Sequence, residues 1–145
     1  MAINTVKIMQ CVPAASGELK IDCIGIGVGI LLHSRSKKVG VGVHVLAPRS
    51  ASPTPENPAK YANSAIPHAI ELIEKEGATP PYSIAIAGGA AMAGSPTGAS
   101  IGEKVVNAVK EALSNAKLNI SIDETGGTNI RSMLLNVETG DIQIK

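Results

Sequence analysis

Aromatic side chains are almost missing from this chain of 145 residues, which has no Phe, no Trp and two Tyr, an aromatic fraction of 1%. Single-stranded nucleic acid is normally held by stacking on such rings, so that mode of binding has nothing to rest on. The net charge is +1 and no Lys/Arg-rich run occurs, which also removes phosphate neutralisation as a source of affinity. No nucleic-acid partner is expected. No apolar stretch reaches the ~18 residues that suggest a membrane span, and Met1 to Gln10 lacks an unbroken apolar run before a small-residue cleavage site. The expectation is a cytoplasmic chain without membrane insertion. Cysteine is scarce too: Cys11 and Cys23 do not make a disulfide framework and read as free thiols in a reducing compartment. With His33, His44 and His68 they show no paired short spacing of the zinc type, so neither a metal nor a cofactor is expected.

What is present is a hydrophobic fraction of 44% built from Val, Ile, Leu, Ala and Met, in a length that suits one domain over residues 1–145. Asn4 to Val12 reads as an opening strand ended by Pro13. Leu19 to Leu32 reads as one long apolar β stretch punctuated by Gly25, Gly27 and Gly29, where a bulge or a close approach is expected. After a turn at Ser34 to Lys38, Val39 to Leu46 completes a hairpin, and a Pro/Ser/Asn-rich loop runs from Ala47 to Ala59. Ala65, Ile66, Ala69, Ile70 and Ile73 recur at helical spacing. A start near Asn63 or Ser64 keeps Pro67 in the first turn, and Gly77 closes the helix. Tyr82 to Ala87 is a strand. Ser100 and Glu103 form a capping box that opens a helix whose buried stripe is Ile101, Val105, Ala108, Val109, Ala112 and Ala116. Strands at Asn119 to Ile122, Arg131 to Val137 and Asp141 to Ile144 finish the chain. The fold class is α/β in the mixed α+β sense: layered, mixed β-sheets packed against two main helices.

Taken in order, VGVGVHVLAP from Val39, NPAKYA from Asn57, GGA at Gly88 to Ala90, SIGEK from Ser100, the DETGG turn at Asp123 and the ETG turn at Glu138 resemble the chemoreceptor glutamine deamidase family CheD. The resemblance implies a layered fold with mixed pairing and a cysteine amidase. In that chemistry a histidine deprotonates the thiol, the thiolate attacks a glutamine carboxamide, ammonia leaves, and water resolves the acyl-enzyme. His44 stands at the family's base position. The nucleophilic cysteine would stand at Gly27 and an orienting threonine at Ile21, so two of the three reactive positions have lost their chemistry. A glycine offers no side-chain atom to activate. The resemblance also implies a chemoreceptor cytoplasmic region or a CheC-type phosphatase as partner, with Asn57, Lys60 and Tyr61 beside the groove and Gly88, Gly89 and Ala90 shaping it.

The leading expectation is therefore a CheD-like chemotaxis protein, impaired in catalysis and acting by binding. A second is an active amidase that pairs Cys23 with His44. Cys23 lies four residues before Gly27, roughly 13 Å away along an extended strand. That separation argues against direct replacement and favours a small buried hydrophobe. Cys11 is assigned a structural role. A third expectation is a small-anion site on the loop from Gly88 to Ser100, which leads into a helix N-terminus but carries no Walker lysine. Asp123 to Gly127 with Arg131 reads as a turn held by a salt-bridged or backbone-capping arginine.

Overall fold

The structure, a computed structural model, describes residues 2–91 and 100–145. In chain order the elements are β1 (Ile3–Val6), β2 (Cys11–Ala14), β3 (Glu18–Ile24), β4 (Val28–Ser34), β5 (Val39–Val45), α1 (Ala62–Lys75), β6 (Ser83–Gly88), α2 (Ser100–Asn115), β7 (Ile122–Thr125), β8 (Arg131–Asn136) and β9 (Ile142–Ile144). One sheet has the order β1-β3-β8-β9 and the other β2-β5-β4-β6-β7. Both mix parallel and antiparallel pairs, since β1/β3 and β6/β7 are parallel and the other pairs antiparallel.

Side-chain alternation in the central strands sets the layers. Val28, Ile30 and Leu32 of β4, the valines of β5 and Ile84 and Ile86 of β6 pack against α1 and α2. The opposite face contributes Leu31, Ala85 and Ala87 to a second core with Val6, Leu19, Ile21, Ile24, Met133 and Leu135 of the other sheet. Successive strand residues point to opposite faces, so the VGVGVHV repeat sends its valines to the helices and its glycines to the second sheet. Those glycines let the sheets close: a Cβ on Gly42 would lie 2.9 Å from Val6 Cγ2, and one on Gly40 2.9 Å from Leu135 Cδ2. The result is three layers, helices on sheet on sheet, as the mixed α+β expectation requires.

Several boundaries differ from the sequence reading. The opening strand is two, β1 and β2, joined through Met9 at φ 61°, and they belong to different sheets. Pro13 lies inside β2, which its place at a sheet edge permits. Leu19 to Leu32 is likewise two strands, with the chain crossing between sheets at Gly25 to Gly27. The strand expected at Asn119 to Ile122 is β7, at Ile122–Thr125. Helix α1 begins at Ala62, so Pro67 sits beyond the first turn on the exposed side. Gly77 at φ 88° closes α1, with Gly77 N–H donating to Glu74 O at 2.9 Å and Ala78 N–H to Ile73 O at 3.3 Å. Ile101 on α2 is exposed, Ala116 lies exposed just beyond the helix end, and the packed stripe is Val105, Val106, Ala108, Val109 and Leu113. The Ser100 side chain of the expected capping box and residues 92–99 of the expected anion loop lie outside the described residues.

Candidate active site

His44 continues the glycine stripe of β5, paired across to Gly29 and facing the second sheet. The residue is 3% exposed. Burial lowers the imidazole pKa by disfavouring its protonated form. Its Nδ1 is buried without a hydrogen-bond partner. The backbone is fixed from the β1–β2 connection, with Met9 N–H donating to His44 O at 2.8 Å and His44 N–H to Gln10 O at 3.2 Å.

The residue facing this ring from the sheet crossing is Gly27. A Cβ there would stand 3.6 Å from His44 Nε2, in ordinary contact with the ring. The same Cβ would also stand 2.4 Å from Val45 O, so the backbone has closed over the space. Ile21 is fully buried on the same face, its Cδ1 3.4 Å from where Gly29 would carry a Cβ. It supplies no hydroxyl to hold an imidazole tautomer.

Cys23 departs from the sequence reading. The β3/β8 register shifts between Ile21 and Ile24, and Cys23 takes φ 56° in that irregularity. The extended-strand spacing used to separate it from the site therefore does not apply. Cys23 is exposed, not a buried hydrophobe, and it lines the same cleft as His44, about 330 Å³ in volume. Thr5 to Ile8 and Asp22 complete the walls. Cys11 is half-buried against the helix-side core, where burial pushes its thiol up to about 12 and leaves it inert.

The remaining sequence-selected residues do not line this cleft. Asn57 accepts from Ala59 N–H and donates to Met9 O, both at 3.1 Å, which ties the loop to the β1–β2 connection. Lys60 O takes the N–H groups of Leu46 and Ala47, and the Lys60 ammonium lies 5.3 Å from the Tyr61 ring centre. Gly89 N–H donates to Gly27 O at 2.8 Å and Ala90 N–H to Gly25 O at 3.0 Å. These donors are committed to clamping the sheet crossing, which removes them from any anion site. Arg131 donates to Gly88 O at 3.2 Å, the backbone-capping arrangement foreseen for it.

A family model described as CheD chemotactic sensory transduction matches residues 46–145. A probable chemoreceptor glutamine deamidase CheD of Methanococcus vannielii is 36% identical over 124 residues, 84% of this chain and 80% of its own. A second, from Methanococcus maripaludis, is 34% identical over 134 residues, with 91% and 87% covered. The chemoreceptor glutamine deamidase CheD of Thermotoga maritima is 35% identical over 128 residues, with 86% and 80% covered. The chain belongs to the CheD family. The family-model match begins just after His44, while the alignments to the relatives are long enough to take in both Gly27 and His44. Within the CheD chain, sequence reasoning missed the cleft wall from Thr5 to Ile8. No local signal could have found it, because the left-handed turn at Met9 falls on a residue that does not favour that conformation.

Proposed function

We propose that this CheD-family chain acts in chemotaxis by binding, with a chemoreceptor cytoplasmic region as its partner, and is impaired in the deamidation for which its relatives are named. One observation carries the reading: position 27 lies against the His44 imidazole and has no side chain to offer it. Without the thiol no acyl-enzyme forms from that position, and loss of a nucleophile that acts as a unit with its base costs on the order of 10³-fold or more in turnover. The intact scaffold supports recognition, because the cores, the clamped crossing and the loop of Asn57 to Tyr61 are all in place.

The test is to mix the full chain with a glutamine-bearing receptor fragment, following binding by calorimetry and deamidation by ammonia release. Saturable binding with negligible ammonia is expected. Absence of binding to the receptor fragment, with capture of a CheC-type phosphatase instead, moves the partner. Robust ammonia release sinks the binding-only reading, and its disappearance in Cys23→Ala assigns the reaction to Cys23 with His44.

A further inference from the structure

Strand β1 closes one side of the outer sheet, with β3 on one flank and no described strand on the other. Glu18 N–H donates to Ala2 O at 2.9 Å, and with the Ile3 to Glu18 register this fixes the phase of the parallel ladder. Ala2, Asn4 and Val6 turn their backbone groups toward β3, while Ile3 and Thr5 turn theirs outward. Lys7, the next outward position, is capped from within the chain: its N–H donates to Gln10 Oε1 at 3.1 Å and its C=O accepts from Gln10 N–H at 3.0 Å. No such cap reaches Ile3 or Thr5 among the described residues. The other described sheet edges are blunted, since β2 carries Pro13, β7 carries Asp123 and Glu124, and β9 is three residues long between Asp141 and Lys145. Ala2 to Val6 holds no charge and no proline, and Ile3 is 57% exposed.

We propose that this edge pairs with the same edge of a second copy of the chain, in a two-fold dimer whose four-stranded sheets join into one. The slot is complementary to itself. An antiparallel pairing about an axis at Asn4 sets Ile3 opposite Thr5 of the partner subunit and Thr5 opposite Ile3 of the partner subunit. In hydrogen-bonded pairs of this kind the two residues exchange both N–H···O=C bonds, so every outward backbone group of the slot finds a mate. Ile3 then lies diagonal to Ile3 of the partner subunit on the outer face, within reach of a branched side chain, which covers the exposed apolar surface as well. No like charges meet, because Ala2 to Val6 carries none. An isologous contact closes at two copies, whereas β1 against the β9 edge of another copy is heterologous and leads to open chains. A single strand pair falls below the ~1,200 Å² of standard interfaces, so the dimer forms in proportion to concentration and dissociates on dilution. The pairing needs neither a receptor nor His44, and it stands or falls apart from the binding reading above.

The experiment follows the full chain by analytical ultracentrifugation from about 1 μM to about 1 mM, the range in which weak contacts populate, and by amide hydrogen exchange at both ends of that range. A reversible monomer–dimer step is expected. The Ile3 and Thr5 amides should exchange at least about tenfold more slowly in the concentrated sample, and the Asn4 and Val6 amides, bonded to β3 in both states, should change less. Thr5→Pro removes an outward donor, and Ile3→Lys brings like charges together across the axis. Each should raise the dimer dissociation constant about tenfold or more, and Ile3→Lys, on an exposed side chain, should keep the melting temperature of the dilute protein. The exchange measurement on the unaltered chain decides the matter even where Thr5→Pro fails to fold. A chain that stays monomeric across the range overturns the proposal. So does a dimer in which Ile3 and Thr5 exchange as in the monomer, a folded Ile3→Lys protein that dimerises as before, or species that keep growing with concentration, which assign the edge to β9 pairing instead.

Discussion

At the scale of single residues, His44 and Gly27 define what this site has kept and lost. The imidazole is buried with Nδ1 unpaired, and burial lowers its pKa below the unfolded value of roughly 6.5. Below that value the unfolded chain takes up the proton more readily than the folded one, so stability falls as pH drops through the window from about 6.5 toward the folded pKa. Urea titrations between pH 7.5 and 5 should show this decline, and His44→Asn should flatten it; parallel slopes in the two proteins would remove His44 as the cause. Gly27 makes a second prediction. A methyl there meets Val45 O at 2.4 Å, a backbone atom that cannot step aside alone. Gly27→Ala should cost about 1–3 kcal/mol, read from the urea midpoint at constant slope.

At the scale of elements, two features of the strands and helices lead to opposite changes in stability. The glycine stripe of β5 sets how near the two sheets lie, since a Cβ on Gly42 would come within 2.9 Å of Val6 and 3.3 Å of Leu31. Gly42→Ala should lose about 1–3 kcal/mol, whereas Gly25→Ala, with open space around the added methyl, should change stability by less than about 1 kcal/mol. Equal effects at the two sites would show that sheet spacing is not what the stripe controls. Helix α1 offers the reverse case. Its first intrahelical bond runs from Ala65 N–H to Tyr61 O, so the N–H that Pro67 lacks belonged to the regular ladder. An interior proline costs about 3 kcal/mol against alanine, offset by up to about 1 kcal/mol of unfolded-chain entropy. Pro67→Ala on this exposed face should therefore stabilise the protein by about 2 kcal/mol.

At the scale of the whole molecule, what could be read in the sequence follows from how local its causes are. The valine and glycine alternation of β5, the helix periodicity and the Gly77 stop each act within a few residues, and each led to a correct element. The separation of β1 from β2 and of β3 from β4 depends on which sheet receives each strand, and apolar runs such as Leu19 to Leu32 look the same whether one sheet or two takes them. The position of Gly27 under His44 was legible through family likeness. The exposure of Cys23 was not, because a bulge at residues 22 and 23 arises from pairing with β8, more than a hundred residues away. Long-range placement of this kind also couples the two cores. Both rest on opposite faces of β4, β5 and β6, so a change in one must alter the sheet the other packs on. Tyr82, buried in the helix-side core, reports on that side alone, while Gly42 faces the second sheet. We expect one cooperative unit: Gly42→Ala should move the Tyr82 fluorescence transition and the far-ultraviolet circular dichroism transition by the same amount in urea. A Tyr82 midpoint that stays put while the dichroism midpoint falls would mean that the helix layer and the outer sheet unfold separately.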